Sequence, residues 1–480
     1  MNFKPVFYVN GILLLILSAA MLIPALIDLA HNSSDWKVFA GAQIITGFTG
    51  FALIFINRDK KFHMTLRETF LLTTLSWVFM AAFGGLPFYF SEVKLTFTDS
   101  FFEAMSGITT TGSTVMTGLD KMPHGILLWR SLLHWLGGVG FLVVALAILP
   151  LLQVSGMQLF KTQSLDIEKV MPSANHIAIY ICCIYAFLTL ACAIFLYAAG
   201  MTSFEAVCHA MATMSTGGFS TSDASLGHFN SPLIEIIVIY FMVLASLPFV
   251  LYLRMVRGDA GALVNDSQVR VFLGIIAFFV AALTVYLMAT NTFSFLEALR
   301  HAAFKIVTLI TTTGFATKDY TVWGPFALAI AFIVTFLGGC SGSTSGGIKT
   351  FRLQILWEMV KQQVRKLMAP HGVFQAHYNR KPVESSVLNA VGVYFFVYIA
   401  SFAIIGALLQ LTGLDFITAF SGAATAVSNV GPGLGDMIGP AGNFSNLPAP
   451  AIWVLSAGML LGRLEFFTLL VLLAPGFWKR

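Results

Sequence analysis

Apolar segments long enough to cross a lipid bilayer alternate with short polar stretches along the whole chain. The first two cover residues 6–29 and 38–56, and a basic stretch at 57–61 follows them. A hydrocarbon core of about 30 Å needs about 20 apolar residues in helical conformation. Both segments therefore predict membrane-spanning helices, and the first is long enough to be a retained helix instead of a cleaved signal peptide.

After residue 66 one arrangement recurs four times: a spanning helix, a helix of about half its length, a polar stretch with glycine, and a second spanning helix. This pattern predicts two extra N-terminal transmembrane helices at 1–66 and repeats at 67–160, 161–262, 263–372 and 373–480. The predicted helices are 68–90, 99–109 and 126–152 in the first repeat, 176–199, 204–214 and 233–255 in the second, 269–290, 295–311 and one starting near 323 in the third, and 386–411, 415–428 and 452–477 in the fourth.

The half-length helices are too short to cross the bilayer, so they must enter it and return on the same side. Irregular backbone at membrane depth is tolerated only where it is buried in protein or lines a wet cavity. Four such segments predict a shared central cavity. The predicted fold class is an all-α polytopic membrane protein with four helix–pore-loop–helix repeats in a pseudo-fourfold arrangement around one pore, plus the two extra N-terminal helices.

Each polar stretch places glycine after hydroxyl or amide side chains. The four stretches are Thr110, Thr111, Gly112 and Ser113; Ser215, Thr216, Gly217 and Gly218; Thr312, Thr313, Gly314 and Phe315; and Asn429, Val430, Gly431 and Pro432. Glycine lets neighbouring carbonyls turn toward one axis without the strain of a Cβ atom, and rings of carbonyls can replace the hydration shell of K⁺. With Gly112, Gly217, Gly314 and Gly431 taken as equivalent, the stretches predict a K⁺ selectivity filter with K⁺ at Thr111, Thr216, Thr313 and Val430.

An acidic residue stands near the start of each half-length helix: Asp99, Glu205, Glu297 and Asp415. A carboxylate there is stabilised by the helix dipole, whose negative end then points toward the glycine stretch. Two compatible interpretations stay open: the carboxylates act only as helix caps, or they also influence the ion.

A second glycine-rich segment interrupts the third repeat between residues 323 and 366. It comprises Gly338, Gly339, Cys340, Ser341, Gly342, Ser343, Thr344, Ser345, Gly346, Gly347, Ile348 and Lys349. Interior glycines cost about 1 kcal/mol each relative to alanine, so a regular helix is not expected here. A phosphate-binding loop is not expected either, because an extra residue precedes the lysine of that motif and no strand leads into it.

Composition and charge agree with this architecture. Of 480 residues 57% are hydrophobic and only 10% charged, with a mean hydropathy of +0.83, whereas soluble domains contain about 25% charged residues. With the N-terminus inside and ten spanning helices, nineteen of the 27 lysines and arginines fall on the inner side, and only Lys37, Lys94, Lys121 and Lys318 fall outside. Because positive residues concentrate in cytoplasmic loops, both termini are predicted in the cytoplasm.

Four basic residues lie in or beside apolar segments: Arg130, Arg300, Lys305 and Arg463. A charge at that depth costs at least about 2.5–3.5 kcal/mol and usually faces a partner or a cavity. Glu465 stands two residues from Arg463, and residues two apart point to different faces of a helix, so we do not expect these two residues to pair. Arg300 and Lys305 are expected to be paired or to extend outward.

Together these features resemble the Trk/Ktr/HKT superfamily of cation transporters, most of all its TrkH branch, the membrane subunits of bacterial Trk potassium uptake systems. The resemblance rests on Thr-Thr-Gly-Ser, Ser-Thr-Gly-Gly-Phe, Thr-Thr-Gly-Phe-Ala and Asn-Val-Gly-Pro-Gly, and on the two extra helices. It implies K⁺ conduction through a single-chain pseudo-tetramer in the bacterial inner membrane, a homodimer, and a cytosolic nucleotide-binding regulatory subunit of the TrkA type.

The resemblance also implies that the segment at 338–349 is an intramembrane gating loop beneath the filter, and that Arg463 is a pore barrier. Lys349 either adds positive charge below the filter or is an ordinary lysine at the cytoplasmic end of a helix. Gly112 stands where Na⁺-permeable plant members carry serine, which favours K⁺ here.

The predicted function is channel-like K⁺ uptake, with K⁺ as the transported ion and no nucleotide site in this chain. A K⁺/H⁺ or K⁺/Na⁺ symporter with the same fold is the alternative, and it would need a titratable or second-ion site in the pathway. An enzyme is not expected, because the sequence shows no nucleophile–base set and no metal-ligand spacing. The lipid bilayer is an expected partner, and nucleic acid is not.

Overall fold

The computed structural model describes residues 1–58, 64–147, 174–291, 293–379 and 381–479, and its regular structure is almost entirely helical. The helices are α1 (Lys4–Ala30), α2 (Trp36–Asn57), α3 (Leu66–Gly84), α4 (Leu86–Phe90), α5 (Phe97–Ile108), α6 (His124–Ala147), α7 (Ala174–Ala198), α8 (Ser203–Met214), α9 (Pro232–Ala245), α10 (Phe249–Val256), α11 (Ala262–Asn265), α12 (Ser267–Ala289), α13 (Phe295–Ile310), α14 (Pro325–Thr335), α15 (Thr350–Met368), α16 (Ser385–Leu411), α17 (Phe416–Ser428), α18 (Gly435–Ile438), α19 (Ala449–Arg463), α20 (Phe467–Leu473) and α21 (Pro475–Trp478).

Short 3₁₀ turns lie at Leu119–Lys121, Ser225–Phe229 and Thr321–Trp323, and strands β1 (His377–Tyr378) and β2 (Lys381–Pro382) form one antiparallel pair. Some sequence predictions lie outside the described residues. These are the last part of the predicted helix 126–152, the boundary between the first and second repeats, and the inner-side residues Lys60, Lys61, Lys161, Lys169, Arg380 and Arg480.

Seven spans in the described part of the chain are long and apolar enough to cross a membrane: α1, α2, α3 with α4, α6, α7, α12 and α16. Two further spans, 233–255 and 452–477, were predicted as continuous helices, and this prediction is wrong because each is broken into two helices. The pair α9 and α10 is bent by 89°, and α19 and α20 by 116°. Pro248 at the first bend lacks the N–H that would continue the helix, and at the second bend Glu465 and Phe466 have φ of 58° and 60°.

The predicted interruption of the third repeat is confirmed. Helix α14 ends at Thr335 and α15 begins only at Thr350. Between them, Leu337 and Ile348 form a parallel β-bridge, so the connecting segment returns to the place where it starts.

The half-length helices α5, α8, α13 and α17 begin with the predicted acidic caps. Glu205 and Glu297 form capping boxes with Thr202 and Ser294, and the N–H of Asp99 donates to Thr96 Oγ1 over 3.2 Å. Asp415 is itself the cap and accepts the N–H of Thr418 at 3.1 Å. The carboxylates of Glu205, Glu297 and Asp415 accept backbone N–H groups that a helix start leaves unpaired, whereas the carboxylate of Asp99 accepts the hydroxyl of Thr96. Capping is therefore confirmed for three of the four, and an influence on the ion stays a prediction.

Helix packing closes the four repeats into a ring. The second spanning helix of each repeat packs against the half-length helix of the next: α6 on α8, α9 on α13, α14 on α17, and α19 back on α5. Helices α1 and α2 pack on each other and on the first repeat. The predicted fold class is therefore confirmed, with four repeats around one pore and two extra N-terminal helices.

Candidate functional site

Each half-length helix ends in the same turn. The first left-handed residue at the helix end donates its N–H three residues back, and the next residue donates five residues back, which is the Schellman arrangement. These pairs are Thr110 and Thr111, Thr216 and Gly217, Thr312 and Thr313, and Asn429 and Val430. The first member of each pair has φ between 54° and 57°, a left-handed conformation that few non-glycine residues adopt.

A glycine with positive φ follows each turn, and the four glycines bring neighbouring repeats into contact. Their φ values are 88° at Gly112, 81° at Gly218, 82° at Gly314 and 109° at Gly431. A Cβ atom at the first three would collide with the carbonyl oxygens of Gly217, Thr313 and Val430 respectively, and one at Gly431 would lie 2.8 Å from Thr111 O. Residues 110–112, 216–218, 312–314 and 429–431 thus form one closed ring, called the glycine ring below.

The expected register of the second stretch is wrong by one residue. Thr216 matches Thr110, and Gly217 matches Thr111, in hydrogen bonding and φ. The equivalent of Gly112 is therefore Gly218. Two adjacent glycines made the sequence ambiguous, and only the turn geometry separates them. The ring of His134 fills the space beside Gly217, at 2.5 Å from where its Cβ would be.

Hydrogen bonds close the ring between the fourth and first repeats. Asn429 Nδ2 donates to Thr111 Oγ1 at 3.0 Å and to the carbonyl of Met459 at 2.9 Å. Ser113 Oγ donates to the carbonyl of Gly431 at 2.8 Å. Asn429, which departs from the threonine of the other repeats, therefore links two repeats through its amide.

A cavity of about 280 Å³ lies on one side of the glycine ring. Gly112, Gly218, Gly314 and Gly431 line it together with polar residues that follow the ring, and Asp223 adds a carboxylate. The cavity gives the ring an accessible mouth, called the vestibule below.

The glycine-rich loop, residues 338–349, lies against the opposite side of the ring and is tied to it by hydrogen bonds. The N–H of Gly346 donates to Thr312 Oγ1 at 2.6 Å, and the N–H of Gly347 donates to the carbonyl of Ser428 at 2.9 Å. Thr344 Oγ1 lies 3.1 Å from the carbonyl of Met214. The loop thereby contacts the ends of the second, third and fourth half-length helices.

Two buried cations hold this loop. Arg463 is 2% exposed and its Nη1 donates to the carbonyl of Thr344 at 3.0 Å. Its Nε and Nη2 have no hydrogen-bond partner among the described residues. Lys349 Nζ donates to the carbonyl of Ser345. Because Lys349 is only 2% exposed, its interpretation as a lysine at the cytoplasmic end of a helix is wrong.

We expected that Glu465 would not pair with Arg463, and the structure confirms this. The reason is not that the two residues lie on different faces of one helix. The helix ends at Arg463, and the turn that follows directs Glu465 to Arg352 on α15. Both members of this ion pair are almost fully buried. The pair joins the start of α15, just after the glycine-rich loop, to the bend between α19 and α20.

Residues 36–479 match the TrkH family of cation transport proteins. The chain belongs to the TrkH family. The Trk system potassium uptake protein TrkI of Halomonas elongata is 42% identical over 483 residues, covering 100% of this chain and 98% of that protein. The Trk system potassium uptake protein TrkH of Escherichia coli is 37% identical over 485 residues, covering 100% of both chains.

The fold agrees with that of a solved family member. The crystal structure of the potassium transporter TrkH from Vibrio parahaemolyticus matches with a TM-score of 0.93 at 34% identity, and the match covers 100% of both chains. Membership of a family of transport proteins supports the expectation of a transporter instead of an enzyme.

Arg300 and Lys305, the two basic residues of α13, have different surroundings in this TrkH-family chain. Arg300 is paired, as expected, with its Nε 3.3 Å from Glu235 Oε2. Within the described part of the chain Lys305 forms no ion pair, and it does not extend outward, since it is 6% exposed and its Nζ lies 3.0 Å from the centroid of the Tyr320 ring. The expectation for Lys305 is therefore wrong.

Sequence reasoning also missed the partner of Arg130. Its Nε lies 2.8 Å from Glu103 Oε1, and both side chains are at most 1% exposed. Glu103 stands mid-way along α5 among apolar residues, and an acidic residue in an intramembrane helix was the available signal.

Proposed function

We propose that this chain takes up K⁺ across the bacterial inner membrane through the glycine ring, in keeping with the potassium uptake named for its relatives. The observation that carries the proposal is the closed ring of backbone carbonyls at the ends of four half-length helices. The C-terminal end of each helix carries about half a negative charge. Four such ends directed at one axis favour a desolvated cation there.

The proposed filter consists of the four predicted stretches, with its K⁺ ligands corrected in register. The proposed ligands are the carbonyls of Thr111, Gly217, Thr313 and Val430, and Thr216 instead takes the helix-ending position of Thr110. Because these four residues differ in side chain, we expect K⁺ to be preferred over Na⁺ less strongly than in a fourfold-symmetric channel. Rb⁺ should also pass.

We further propose the glycine-rich loop as the gate and Arg463 as the barrier on its side of the ring. The loop covers that side and would have to leave for an ion to pass, breaking the contacts of Gly346 and Gly347 with Thr312 and Ser428. The two unpartnered nitrogens of Arg463 keep positive charge available to repel a cation. Buried Lys349 adds a second positive charge.

The orientation of the chain in the membrane is proposed from the distribution of basic residues, and its partners from the similarity to known proteins. The vestibule is proposed to open outward, with both termini in the cytoplasm, because basic residues concentrate on the opposite side. Burial of Lys349 and Arg352 removes two residues from that inner count, and the asymmetry remains. The names of the relatives refer to a Trk system, which supports the presence of partner subunits. A homodimer and a cytosolic nucleotide-binding subunit of the TrkA type are proposed from the family resemblance. The division at 67–160, 161–262, 263–372 and 373–480 is proposed as the repeat structure.

Purified protein in liposomes tests the proposal through uptake of K⁺ in competition with Rb⁺, Na⁺ and Li⁺, with and without a TrkA-type subunit and nucleotides. The wild type should give uptake in which K⁺ and Rb⁺ compete best. Gly112→Ala should abolish it, because the added Cβ meets the carbonyl of Gly217. Gly413→Ala is the matched control, since Gly413 has φ of 92° but no heavy atom within 4 Å of its Cβ position.

Uptake without cation preference, or equal loss in both glycine variants, would contradict the role of the ring. The same liposomes distinguish a channel from a symporter. A reversal potential that follows the K⁺ gradient alone supports a channel, whereas dependence on a proton or Na⁺ gradient supports coupled transport.

A further inference from the structure

One helix position behind the glycine ring carries a different side chain in each repeat. It lies nine residues before the ring glycine, and with Gly112, Gly218, Gly314 and Gly431 as reference it is Glu103, His209, Lys305 and Gly422. Glu103 and His209 are fully buried, and Lys305 is 6% exposed. Ionisable groups at membrane depth are costly and usually functional, so their recurrence at one position requires an explanation.

In the first two repeats this side chain binds the chain segment that leaves the ring. Glu103 accepts hydrogen bonds from Thr114 Oγ1 and from the N–H of Val115, both at 2.9 Å. His209 Nε2 lies 2.9 Å from Ser220 Oγ. Thr114 and Ser220 each stand two residues after a ring glycine, so different residues make the same connection.

In the third repeat the side chain at this position supports the segment that leaves the ring in the fourth repeat. Gly422 has no side chain to offer. Lys305 lies over the ring of Tyr320, and the Tyr320 hydroxyl donates to the carbonyl of Gly433 at 3.1 Å. Gly433 stands two residues after Gly431, the same place that Thr114 and Ser220 hold in their repeats. Lys305 therefore reaches this place through Tyr320, whereas Gly422 has no side chain that could reach it.

The charges of these supports are unequal. Glu103 is neutralised by Arg130, whose Nη1 donates to the carbonyl of Ser220 at 2.8 Å and whose guanidinium lies 4.0 Å from the ring of Phe219. This pair therefore joins the first and second repeats. Lys305 has no carboxylate within salt-bridge distance among the described residues. The third repeat thus places a buried lysine without a directly bonded carboxylate behind the ring.

We propose that Glu103, His209 and Lys305 are positioning residues that set the cation selectivity of the glycine ring. They hold the segments after the ring apart, which keeps the carbonyls from closing around the smaller Na⁺. Selectivity in carbonyl-lined sites depends on cavity size and on how freely the carbonyls move. This inference rests on the proposed function of the ring as the K⁺ pathway.

The test compares Lys305→Met with Lys305→Arg and Arg300→Gln in liposome uptake of K⁺ competed by Na⁺. Lys305→Met should lower the K⁺-over-Na⁺ preference about fivefold or more, because it removes the contact with Tyr320. Lys305→Arg should restore most of the preference, since arginine also stacks on aromatic rings. Arg300→Gln removes a positive charge from the same helix at a site paired with Glu235, and it should keep wild-type preference.

A second set of variants remains informative if Lys305→Met fails to fold. Ser220→Ala and Thr114→Val remove the far ends of two supports with little change in volume. Both should lower the preference for K⁺ more than the maximal uptake rate. Thr49→Val is the control, since Thr49 lies on α2 outside the four repeats and its hydroxyl donates only to the carbonyl of Ile45 in the same helix.

The outcomes separate the two proposals. A wild type without K⁺-selective uptake would overturn the proposed function and this inference with it. A K⁺-selective wild type, combined with unchanged preference in Lys305→Met, Ser220→Ala and Thr114→Val, would overturn the inference alone. An equal fall in the Arg300→Gln and Thr49→Val controls would also overturn it.

Discussion

Replacing Arg463 with alanine should increase cation flux in the absence of the regulatory subunit. The structure gives Arg463 one contact that depends on the glycine-rich loop, the hydrogen bond from Nη1 to the carbonyl of Thr344 at 3.0 Å. A hydrogen bond from a charged group contributes about 1.5–3 kcal/mol. The loop occupies this place only in the proposed closed state. Losing the hydrogen bond therefore lowers the ratio of closed to open protein about tenfold to hundredfold.

The guanidinium also lies 4.0 Å from the ring of Phe141 on α6. This contact does not involve the loop, so we do not count it toward gating. Removing the buried charge should add to the increase by lowering the electrostatic barrier to a cation.

Flux through single channels or reconstituted vesicles measures the effect, with protein amount and monodispersity matched. Arg463→Lys keeps the charge but loses the planar fork, so its flux should lie between wild type and Arg463→Ala. Arg254→Ala is the control, because Arg254 is 48% exposed and pairs with Asp259 outside the site. Flux at or below wild type in well-folded Arg463→Ala would refute the reasoning.

Three further predictions concern the ring, the loop and the buried ion pair. Gly218→Ala should reduce uptake more than Gly431→Ala, because its Cβ meets the carbonyl of Thr313 more closely than the 2.8 Å separation at Gly431; equal uptake in both variants would contradict this order. Thr344→Val removes the one hydroxyl donor that the carbonyls of Met214 and Ala245 share, each at 3.1 Å, a loss of about 1 kcal/mol, so basal flux should rise, and lower flux would count against a closed-state role. Glu465→Gln should lower the free energy of unfolding by about 3–5 kcal/mol, because it removes one member of a buried ion pair. Thermal denaturation in detergent measures this loss. As a control, breaking the more exposed Lys361–Glu358 pair should cost less than about 1 kcal/mol.

Periodicity and helix length predicted most of the architecture. Apolar segments of about 20 residues can satisfy their backbone only as helices in a bilayer, so the spans followed from the sequence. The acidic residues Glu205, Glu297 and Asp415 cap their helices within one turn of the chain, so their role could be inferred locally. The break at 338–349 was likewise visible, because several glycines make a helix unfavourable wherever they stand.

Features that depend on contacts between distant residues were decided by the tertiary structure alone. The register of Gly217 and Gly218 could not be inferred, since both are glycine and only the hydrogen bonds of the turn and the ring of His134 distinguish them. The bend after Arg463 was hidden inside an apolar run.

The partners of the intramembrane charges follow the same rule. Glu103 and Arg130 are 27 residues apart, and Arg352 and Glu465 are 113 apart, separations that no local pattern encodes. A charged residue in an apolar segment of the sequence predicts a partner, because burying a charge without one is costly. Which atom satisfies it, whether a carboxylate, the face of Tyr320 or the carbonyl of Thr344, is fixed only when the four repeats pack around their common axis.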